Sequence, residues 1–368
     1  MKSILFVIPT LSGGGAEKVL VNLANELSDK YLVTILTLFD TGINKCSLSK
    51  KVNYKYIFKW NFRGNIFLFK MFNPAFLSKI FIRGDYDYIV AFLEYTVTRI
   101  ISGYHRKAEK IAWIHSTVNS QTLRTFLSPY RSKKECVECY NKFDKIVCVS
   151  EDVAKSFKSE FPAIKPPRLI KYNILNSKKI AQLSSEPITT QICSQQINIC
   201  SVGRLIPIKG FMRLLQIYKR LIDEGIALNT HLYILGIGPD KASLESYIST
   251  NNINSYVTLL GYQENPYKYV SKMDLFVCSS YSEGLSTAVT EAILLGIPVL
   301  TTQCSGMNEL LDKGNCGCIV ENSESGLYSG LKKLIANENL RLHYKERILV
   351  QRKLFDDSRI LREIEDLF

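Results

Sequence analysis

The chain has 368 residues, 46% of them hydrophobic, which is enough for two domains with separate cores. No stretch approaches the roughly 18 uninterrupted apolar residues of a membrane-spanning helix. The ten Cys lack partners at zinc-finger spacing, so we expect reduced thiols of a cytoplasmic protein and no bound metal.

The positive charge is concentrated in the first half of the chain. Residues 1–190 contain 29 Lys and Arg against 15 Asp and Glu, whereas the remainder contains 18 against 19. Such a field favours an anionic membrane surface or nucleic acid as partner. Because no helix-turn-helix, zinc finger or aromatic RNA-binding motif accompanies it, we expect no nucleic acid, and the membrane is the preferred partner.

Apolar runs alternate with amphipathic ones in the first half, which predicts a parallel sheet flanked by helices. The opening MKSILFVIPTL imitates a signal peptide, but it runs through glycines into an amphipathic helix and is interpreted as a buried strand. The predicted strands are 4–8, 32–38, 88–92, 110–114, 145–149 and 169–172, and the predicted helices are 16–29, 66–82, 119–141 and 151–160.

Three features of this half are candidates for function. Gly13, Gly14 and Gly15 lack side chains, so their backbone can approach a ligand closely, although a tight turn would need the same residues. His115 closes a predicted strand, where a lone His is more often a core residue. Residues 65–83 are rich in Phe and include Lys70, Lys79 and Arg83; this pattern fits either a core helix or a membrane contact.

The second half repeats the alternation after a polar segment, 176–196, that has neither period and predicts a linker. We therefore predict domains at 1–175 and 197–352. Residues 353–368 form an amphipathic terminal helix that either stays with the second domain or returns to the first. The predicted strands are 197–202, 231–235, 256–260, 274–278 and 298–301.

Two cations follow the first strand of the second domain. Arg204 and Lys209 lie where open α/β sheets bind ligands, beyond the carboxyl ends of the strands. A guanidinium grips a phosphate through two hydrogen bonds and an ammonium adds a point charge. The pair predicts a diphosphate site, and the alternative is two solvated loop cations.

Residues 279–301 contain two glutamates, Glu283 and Glu291. If the helix begins at residue 284, eight steps of about 1.5 Å place their backbones about 12 Å apart, near the span of a sugar joined to a ribose by pyrophosphate. The backbone N–H groups of Gly284, Leu285 and Ser286 would then open the helix and accept an anion.

Together these motifs resemble the donor site of retaining glycosyltransferases of the family-4 type. The resemblance covers the paired glutamates, the strand-end Gly203 with Arg204 and Lys209, the glycine run, and residues 258–280. It implies an α/β fold of the GT-B type, with two Rossmann-like domains facing across a cleft. The N-terminal domain would bind the acceptor and the C-terminal domain the nucleotide sugar.

The resemblance also implies roles for single residues. Glu283 would bond the sugar hydroxyls and steady positive charge at the anomeric carbon, while Glu291 would accept hydrogen bonds from the ribose. His115 would point a neutral imidazole at the transferred sugar. Tyr262, with Gly261 and Pro266, would shape the pocket for the base. The glycine run would contact the donor sugar or the acceptor.

The expected activity is transfer of a hexose-type sugar, with retention, from a nucleotide diphosphate sugar, UDP preferred to GDP. The acceptor would be a hydroxyl of a lipid-linked saccharide in bacterial cell-surface polysaccharide assembly, with the enzyme cytoplasmic or peripheral on the inner face of the membrane. No cofactor is expected. A nonhydrolysing nucleotide-sugar epimerase and a noncatalytic basic protein of the membrane surface remain alternatives. A glycoside hydrolase fits less well, because its carboxylates lie about 5–9.5 Å apart.

Overall fold

A computed structural model describes residues 1–120, 122–188 and 192–368. The chain divides into two compact units, one of residues Met1–Leu175 with Ser358–Phe368 and one of residues Asn176–Asp357. Residues 189–191 of the predicted linker and residue 121 of a predicted helix lie outside the described residues.

The first unit contains a seven-stranded parallel sheet in the order β3-β2-β1-β4-β5-β6-β7. Its strands are β1 (Ser3–Ile8), β2 (Leu32–Phe39), β3 (Asn53–Phe58), β4 (Tyr88–Ala91), β5 (Glu109–Ile114), β6 (Lys145–Cys148) and β7 (Arg168–Ile170). Its helices are α1 (Gly15–Leu27), α2 (Asn65–Met71), α3 (Pro74–Phe81), α4 (Thr96–Ser102), α5 (Leu123–Leu127), α6 (Lys133–Tyr140) and α7 (Glu151–Glu160). Residues 4–8 of the central β1 are at most 1% exposed, because the strand is covered on both faces.

The second unit contains a six-stranded parallel sheet in the order β10-β9-β8-β11-β12-β13. Its strands are β8 (Ile197–Val202), β9 (Thr230–Leu235), β10 (Val257–Gly261), β11 (Leu275–Cys278), β12 (Val299–Thr302) and β13 (Cys318–Val320). Its helices are α8 (Ser177–Ser184), α9 (Phe211–Asp223), α10 (Lys241–Thr250), α11 (Tyr267–Val270), α12 (Thr287–Leu294), α13 (Met307–Leu310), α14 (Glu324–Ala336) and α15 (Glu338–Gln351). The segment predicted as an irregular linker thus contains a helix, α8.

The prediction of a single helix at 66–82 was wrong. Two helices, α2 and α3, meet at Asn73 and Pro74, where the Asn73 side chain accepts a hydrogen bond from Phe76 N at 2.7 Å. Pro74 occupies the first helical position of α3, and a proline disfavours helical backbone at the residue before it. The predicted helix 119–141 is likewise divided, into α5 and α6, and Ser132 caps the second of these.

The last helix, α16 (Asp357–Glu365), starts at the boundary between the units. The Asp357 carboxylate accepts hydrogen bonds from the backbone N–H groups of Asn176 and Ser177, so it joins the two chain segments at this boundary. Further on, the ring of Phe368 lies 5.3 Å from that of Tyr88 in the first unit.

All ten cysteines are free thiols, and only Cys46 and Cys193 are exposed. Burial raises the pKa of Cys148 and of Cys304 to about 12. Within the described ranges there is no group of three or more His, Cys, Asp or Glu arranged to hold a metal ion. Over the same ranges, none of the helices combines the length and apolarity needed to cross a membrane.

Candidate functional site

The order of the second sheet reverses between β8 and β11, and open α/β sheets bind ligands at such a switch point. The loop after β8 contains Arg204 and Lys209, and the loop after β11 contains Glu283. The predicted cations and the first predicted glutamate therefore lie on the two loops that flank the switch.

Lys209 and Glu283 form a close ion pair. The Nζ atom of Lys209 lies 2.7 Å from Oε1 and 2.9 Å from Oε2 of the carboxylate. The Ser280 hydroxyl donates a hydrogen bond to the same Oε1. Burial alone would lower the pKa of Lys209, but the charge and hydrogen bonds of Glu283 outweigh it and raise that pKa above 10.5. The Lys209 ammonium and the Glu283 carboxylate are therefore both charged, and each neutralises the other.

Gly210 allows the two loops to touch. Its φ is +66°, and a Cβ atom built there would lie 2.2 Å from the carbonyl oxygen of Ser279. The Ser279 hydroxyl in turn donates to Lys209 O at 3.0 Å. Only glycine fits this position without displacing backbone.

Arg213, in the first turn of α9, holds the loop that contains Glu283. This buried guanidinium donates to Ser279 O at 2.8 Å and to Ser280 O at 2.7 Å. It also donates to Asn322 Oδ1 at 2.9 Å and lies 3.8 Å from the ring centroid of Tyr281. Burial lowers the pKa of Arg213 from its ordinary value. Because the fork satisfies two carbonyls that follow β11, it fixes the backbone from which Glu283 projects.

The helix that contains Glu291 begins later than predicted. α12 starts at Thr287, and Ser286 is its N-cap, with its hydroxyl accepting a hydrogen bond from Val289 N at 3.4 Å. Ser favours the N-cap and Gly disfavours a helix interior, so Gly284 and Leu285 precede the helix. The 12 Å estimate, which assumed helix from residue 284, therefore lacks its basis. Glu291 is nearly buried and accepts a hydrogen bond from Tyr267 OH at 3.1 Å.

The other predicted donor residues lie in loops at the carboxyl ends of strands of the same parallel sheet. Arg204 is exposed, and its charge opposes the rise in the Lys209 pKa. A Cβ on Gly236 would meet Gly203 O at 1.8 Å, so the loops after β8 and β9 are in close backbone contact. Tyr262 follows β10 and is 51% exposed.

The first sheet has its own switch point between β1 and β4. The predicted glycine run follows β1: Gly14 is the N-cap of α1, and Gly15 is its first residue. None of the three glycines has a positive φ, so an αL turn does not explain them. Gly14 lies against Glu17, whose carboxylate accepts a hydrogen bond from Ser12 Oγ at 2.8 Å.

His115 follows β5, next to a buried carboxyl that the sequence analysis missed. Glu94 follows β4, is 0% exposed, and its Oε1 accepts hydrogen bonds from His115 N at 2.9 Å and from Ser116 N. Burial raises the pKa of Glu94 to about 7 and lowers that of His115 to about 3. The imidazole is therefore neutral near pH 7. Its Nε2 is buried and has no hydrogen-bond partner among the described residues.

The backbone beside Glu94 is strained. Tyr95 has φ 80° and ψ −133°, an unusual conformation for a residue with a side chain. Such strain costs about 1–3 kcal/mol and tends to occur at functional sites. The β4 end thus combines a buried carboxyl with a constrained backbone.

Comparison with known families assigns both units. The profile described as glycosyl transferases group 1 matches residues 188–349, and the profile described as glycosyltransferase family 4 matches residues 13–170. The chain belongs to the glycosyltransferases that these two profiles describe.

Among relatives of this glycosyltransferase chain is the N-acetylgalactosamine-N,N'-diacetylbacillosaminyl-diphospho-undecaprenol 4-alpha-N-acetylgalactosaminyltransferase of Campylobacter jejuni. It is 32% identical over 58% of this chain, and the match spans 55% of the relative's own length. The amylovoran biosynthesis glycosyltransferase AmsD of Erwinia amylovora is 24% identical, covering 100% of this chain and 99% of its own.

The fold of this glycosyltransferase chain is similar to that of solved structures. HepE from Anabaena in complex with UDP and glucose matches with a TM-score of 0.78 at 17% identity, covering 100% of this chain and 99% of that one. The two parallel sheets and this similarity confirm the predicted α/β fold with two Rossmann-like domains of the GT-B type.

Two residues that shape the strand ends were absent from the sequence analysis. Glu94 directly follows an apolar strand run, so the reasoning that selected Arg204 could also have found it. Arg213 gave no comparable signal, because an arginine one turn after Lys209 fits a solvated helix face equally well.

Proposed function

We propose that this chain transfers a sugar, with retention at the anomeric carbon, from a UDP-sugar to a hydroxyl of a lipid-linked saccharide in cell-surface polysaccharide assembly. The observation that carries the proposal is the Lys209–Glu283 pair at the switch point of the second sheet. Support for the donor comes from HepE, which was solved with UDP, and support for the acceptor comes from the undecaprenol-linked substrate in the Campylobacter relative's name.

The assigned roles follow from charge and position. Arg204 and Lys209 would bind the diphosphate and stabilise its developing negative charge as it departs. Glu283 would bond the sugar hydroxyls and stabilise positive charge at the anomeric carbon. Glu291 would bind the ribose, with Tyr267 OH orienting its carboxylate.

In the proposed reaction, the bond from the anomeric carbon to the phosphate oxygen breaks, and a bond to the acceptor oxygen forms on the same face. The acceptor proton passes to the departing phosphate. The second unit would bind the nucleotide sugar through Arg204, Lys209, Glu283 and Glu291. The first unit would bind the acceptor through Gly13–Gly15, with the neutral His115 near the sugar. The lipid of the acceptor would bring the chain to the inner surface of the cell membrane.

Calorimetric titration with UDP and GDP tests the donor. We expect UDP to bind more tightly than GDP, and absence of binding by either nucleotide would exclude this function. NMR of the product after incubation with UDP-sugars and a lipid-linked acceptor then gives the anomeric configuration. An inverted product would contradict retention, and interconversion of free UDP-sugars without acceptor would identify an epimerase.

A further inference from the structure

Helices α2 and α3 and the residues before them present large apolar side chains to solvent. Trp60 is 72% exposed, Phe67 71% and Met71 60%, unlike the core positions to which such residues usually belong. Four further exposed side chains of the two helices, Leu68, Phe72, Phe76 and Ile80, line one groove, and a large exposed apolar surface of this kind marks an interaction site. We define the α2–α3 surface by its exposed members, Trp60, Ile66, Phe67, Leu68, Met71, Phe72, Phe76 and Ile80.

A groove of about 210 Å³ opens on this surface, and all of its lining residues are apolar. For scale, an apolar cavity of about 150 Å³ holds benzene. The groove therefore has room for a segment of one hydrocarbon chain. Its lining residues are Phe58, Leu68, Phe69, Phe72, Phe76, Leu77, Ile80 and Phe81.

Two arginines hold α2 by its C-terminal carbonyls rather than by covering its apolar face. The buried Arg99 donates to Phe69 O at 2.7 Å and to Phe72 O at 2.8 Å, and it is paired with Glu135. Arg131 donates to Lys70 O at 3.0 Å and to Met71 O at 2.7 Å. These bonds satisfy carbonyls that a helix end leaves open, so the backbone is fixed while Phe67 remains exposed.

The surface lies in a part of the chain whose charged residues are all positive. Residues 41–84 contain nine Lys or Arg and no Asp or Glu. Lys79 directly precedes Ile80 in the sequence, and both Lys79 and Arg83 are exposed. Lys59 Nζ lies 5.1 Å from the ring centroid of Trp60. An apolar surface edged by cations complements an anionic bilayer, whereas pairing with a second copy would bring like charges together.

We propose that the α2–α3 surface docks this chain on an anionic phospholipid bilayer, with Trp60, Phe67 and Met71 inserted among the acyl chains and one acyl chain entering the groove. The inference extends the proposed function, because a lipid-linked acceptor requires the enzyme at a membrane. It also decides between the two interpretations of residues 65–83: Phe69 and Leu77 are buried beneath the surface and line the groove, and the remaining large apolar side chains of α2 form the docking face.

Vesicle partitioning with fluorescence tests this surface. The chain has two Trp, and Trp113 is 1% exposed, so Trp60 provides the lipid-sensitive signal. We expect binding to vesicles of equal parts phosphatidylcholine and phosphatidylglycerol, and weaker binding to phosphatidylcholine alone. Lipids brominated along the acyl chain should quench the emission, and Trp60→Phe should remove the quenchable part. Binding without quenching would overturn the inserted surface.

Variants separate apolar insertion from charge. The double variant Phe67→Ser with Met71→Ser should lower the partition coefficient at least about tenfold. Its control, Leu228→Ser with Val350→Ser, removes side chains that are 54% and 64% exposed in the second unit and should change nothing. Exchanging Lys79 and Arg83 for Gln should weaken binding about fivefold per charge, and only to anionic vesicles.

Equal partitioning of the Phe67→Ser, Met71→Ser variant and its control would overturn the proposal. Sedimentation without vesicles tests the alternative that a second copy of the chain occupies the surface. A dimer of the native chain that is lost in the Phe67→Ser, Met71→Ser variant would assign the surface to that second copy. UDP titration of the native chain and of each variant keeps the two proposals apart. For the native chain, UDP binding without partitioning would refute docking alone, and partitioning without UDP binding would refute the proposed function alone. The Phe67→Ser, Met71→Ser variant should keep its UDP binding while it loses partitioning.

Discussion

The two units place polar groups at equivalent switch points, but they stabilise them in different ways. In the second unit the charges are paired, with Lys209 against Glu283 and the Arg213 fork on two carbonyls. In the first unit burial shifts the pKa of Glu94 and of His115 toward the neutral forms. Paired charges suit the binding of a charged diphosphate, whereas desolvated groups suit hydrogen bonds to an uncharged sugar. The contrast fits a donor site on the second unit and sugar contacts on the first.

The largest expected effect is that of Glu283→Gln. The amide keeps the shape but loses the negative charge proposed to stabilise the anomeric carbon, so the transfer rate should fall by at least about 10³-fold with the fold intact. Initial rates and circular dichroism measure the two properties. Glu245→Gln is the control, because that side chain is 53% exposed on α10. Full activity of Glu283→Gln would show that the charge of Glu283 in the second unit has no part in transfer.

Replacing Arg213 tests whether the fork fixes the Glu283 loop. Arg213→Met removes the guanidinium donor from Ser279 O and from Ser280 O, although Ser280 O keeps the Thr302 hydroxyl as a donor at 2.6 Å. Denaturant unfolding should show a loss of about 3 kcal/mol. Arg220→Met is a matched control on the same helix. Its guanidinium also stacks on a tyrosine, 4.1 Å from the ring of Tyr328, but it is 64% exposed and should cost under about 1 kcal/mol.

Arg213→Lys sharpens the same test, because it keeps the charge but not the fork. We expect it to recover part of the stability lost in Arg213→Met while transfer remains slow at saturating donor. Equal losses for the Met variants at positions 213 and 220 would show that the buried contacts do not stabilise the loop.

The desolvated half of the comparison predicts opposite pH dependences. The folded-state pKa of Glu94 is raised from 4.5 to about 7. The protonated Glu94 therefore adds to the free energy of unfolding below pH 4.5, and this stabilisation is lost as the pH rises through 7. The folded-state pKa of His115 is lowered from 6.5 to about 3, so its contribution is present above pH 6.5 and is lost as the pH falls through 3. Between pH 4.5 and 6.5 the two effects oppose each other.

Glu94→Gln should expose the His115 effect. Relative to the native chain, the free energy of unfolding of the variant should rise between pH 4.5 and 7 by up to about 3 kcal/mol. Urea titrations at several pH values measure this difference directly. A difference that does not change with pH would mean that Glu94 titrates alike in the folded and unfolded chain.

The smallest effect concerns the contact between the two loops of the second unit. Gly210→Ala should cost about 2 kcal/mol, because the added methyl group would overlap Ser279 O and the backbone has a positive φ. Gly225→Ala isolates the backbone contribution, because φ there is +76° but nothing lies within 4 Å of the added atom. Thermal unfolding should show the smaller loss for Gly225→Ala, and equal losses would mean that the loops can separate freely.

Sequence pattern predicted the buried strands and the strand-end cations because both depend on local runs. It missed β3 and β13: β3 lies at the sheet edge and β13 has only three residues, so neither gives a long buried run. It placed the start of α12 at residue 284, although Ser286 is a strong cap. The role of Arg213 depends on carbonyls 66 residues away, which no local period encodes.

The exposed thiols have a practical consequence. Cys46 belongs to the first unit and Cys193 to the second, while burial raises the pKa of other thiols such as Cys148 and Cys304. Because the thiolate is the reactive form, a maleimide dye should label one position in each unit of the native chain. Energy transfer between the two dyes would then report their separation as nucleotide is titrated, without any engineered substitution.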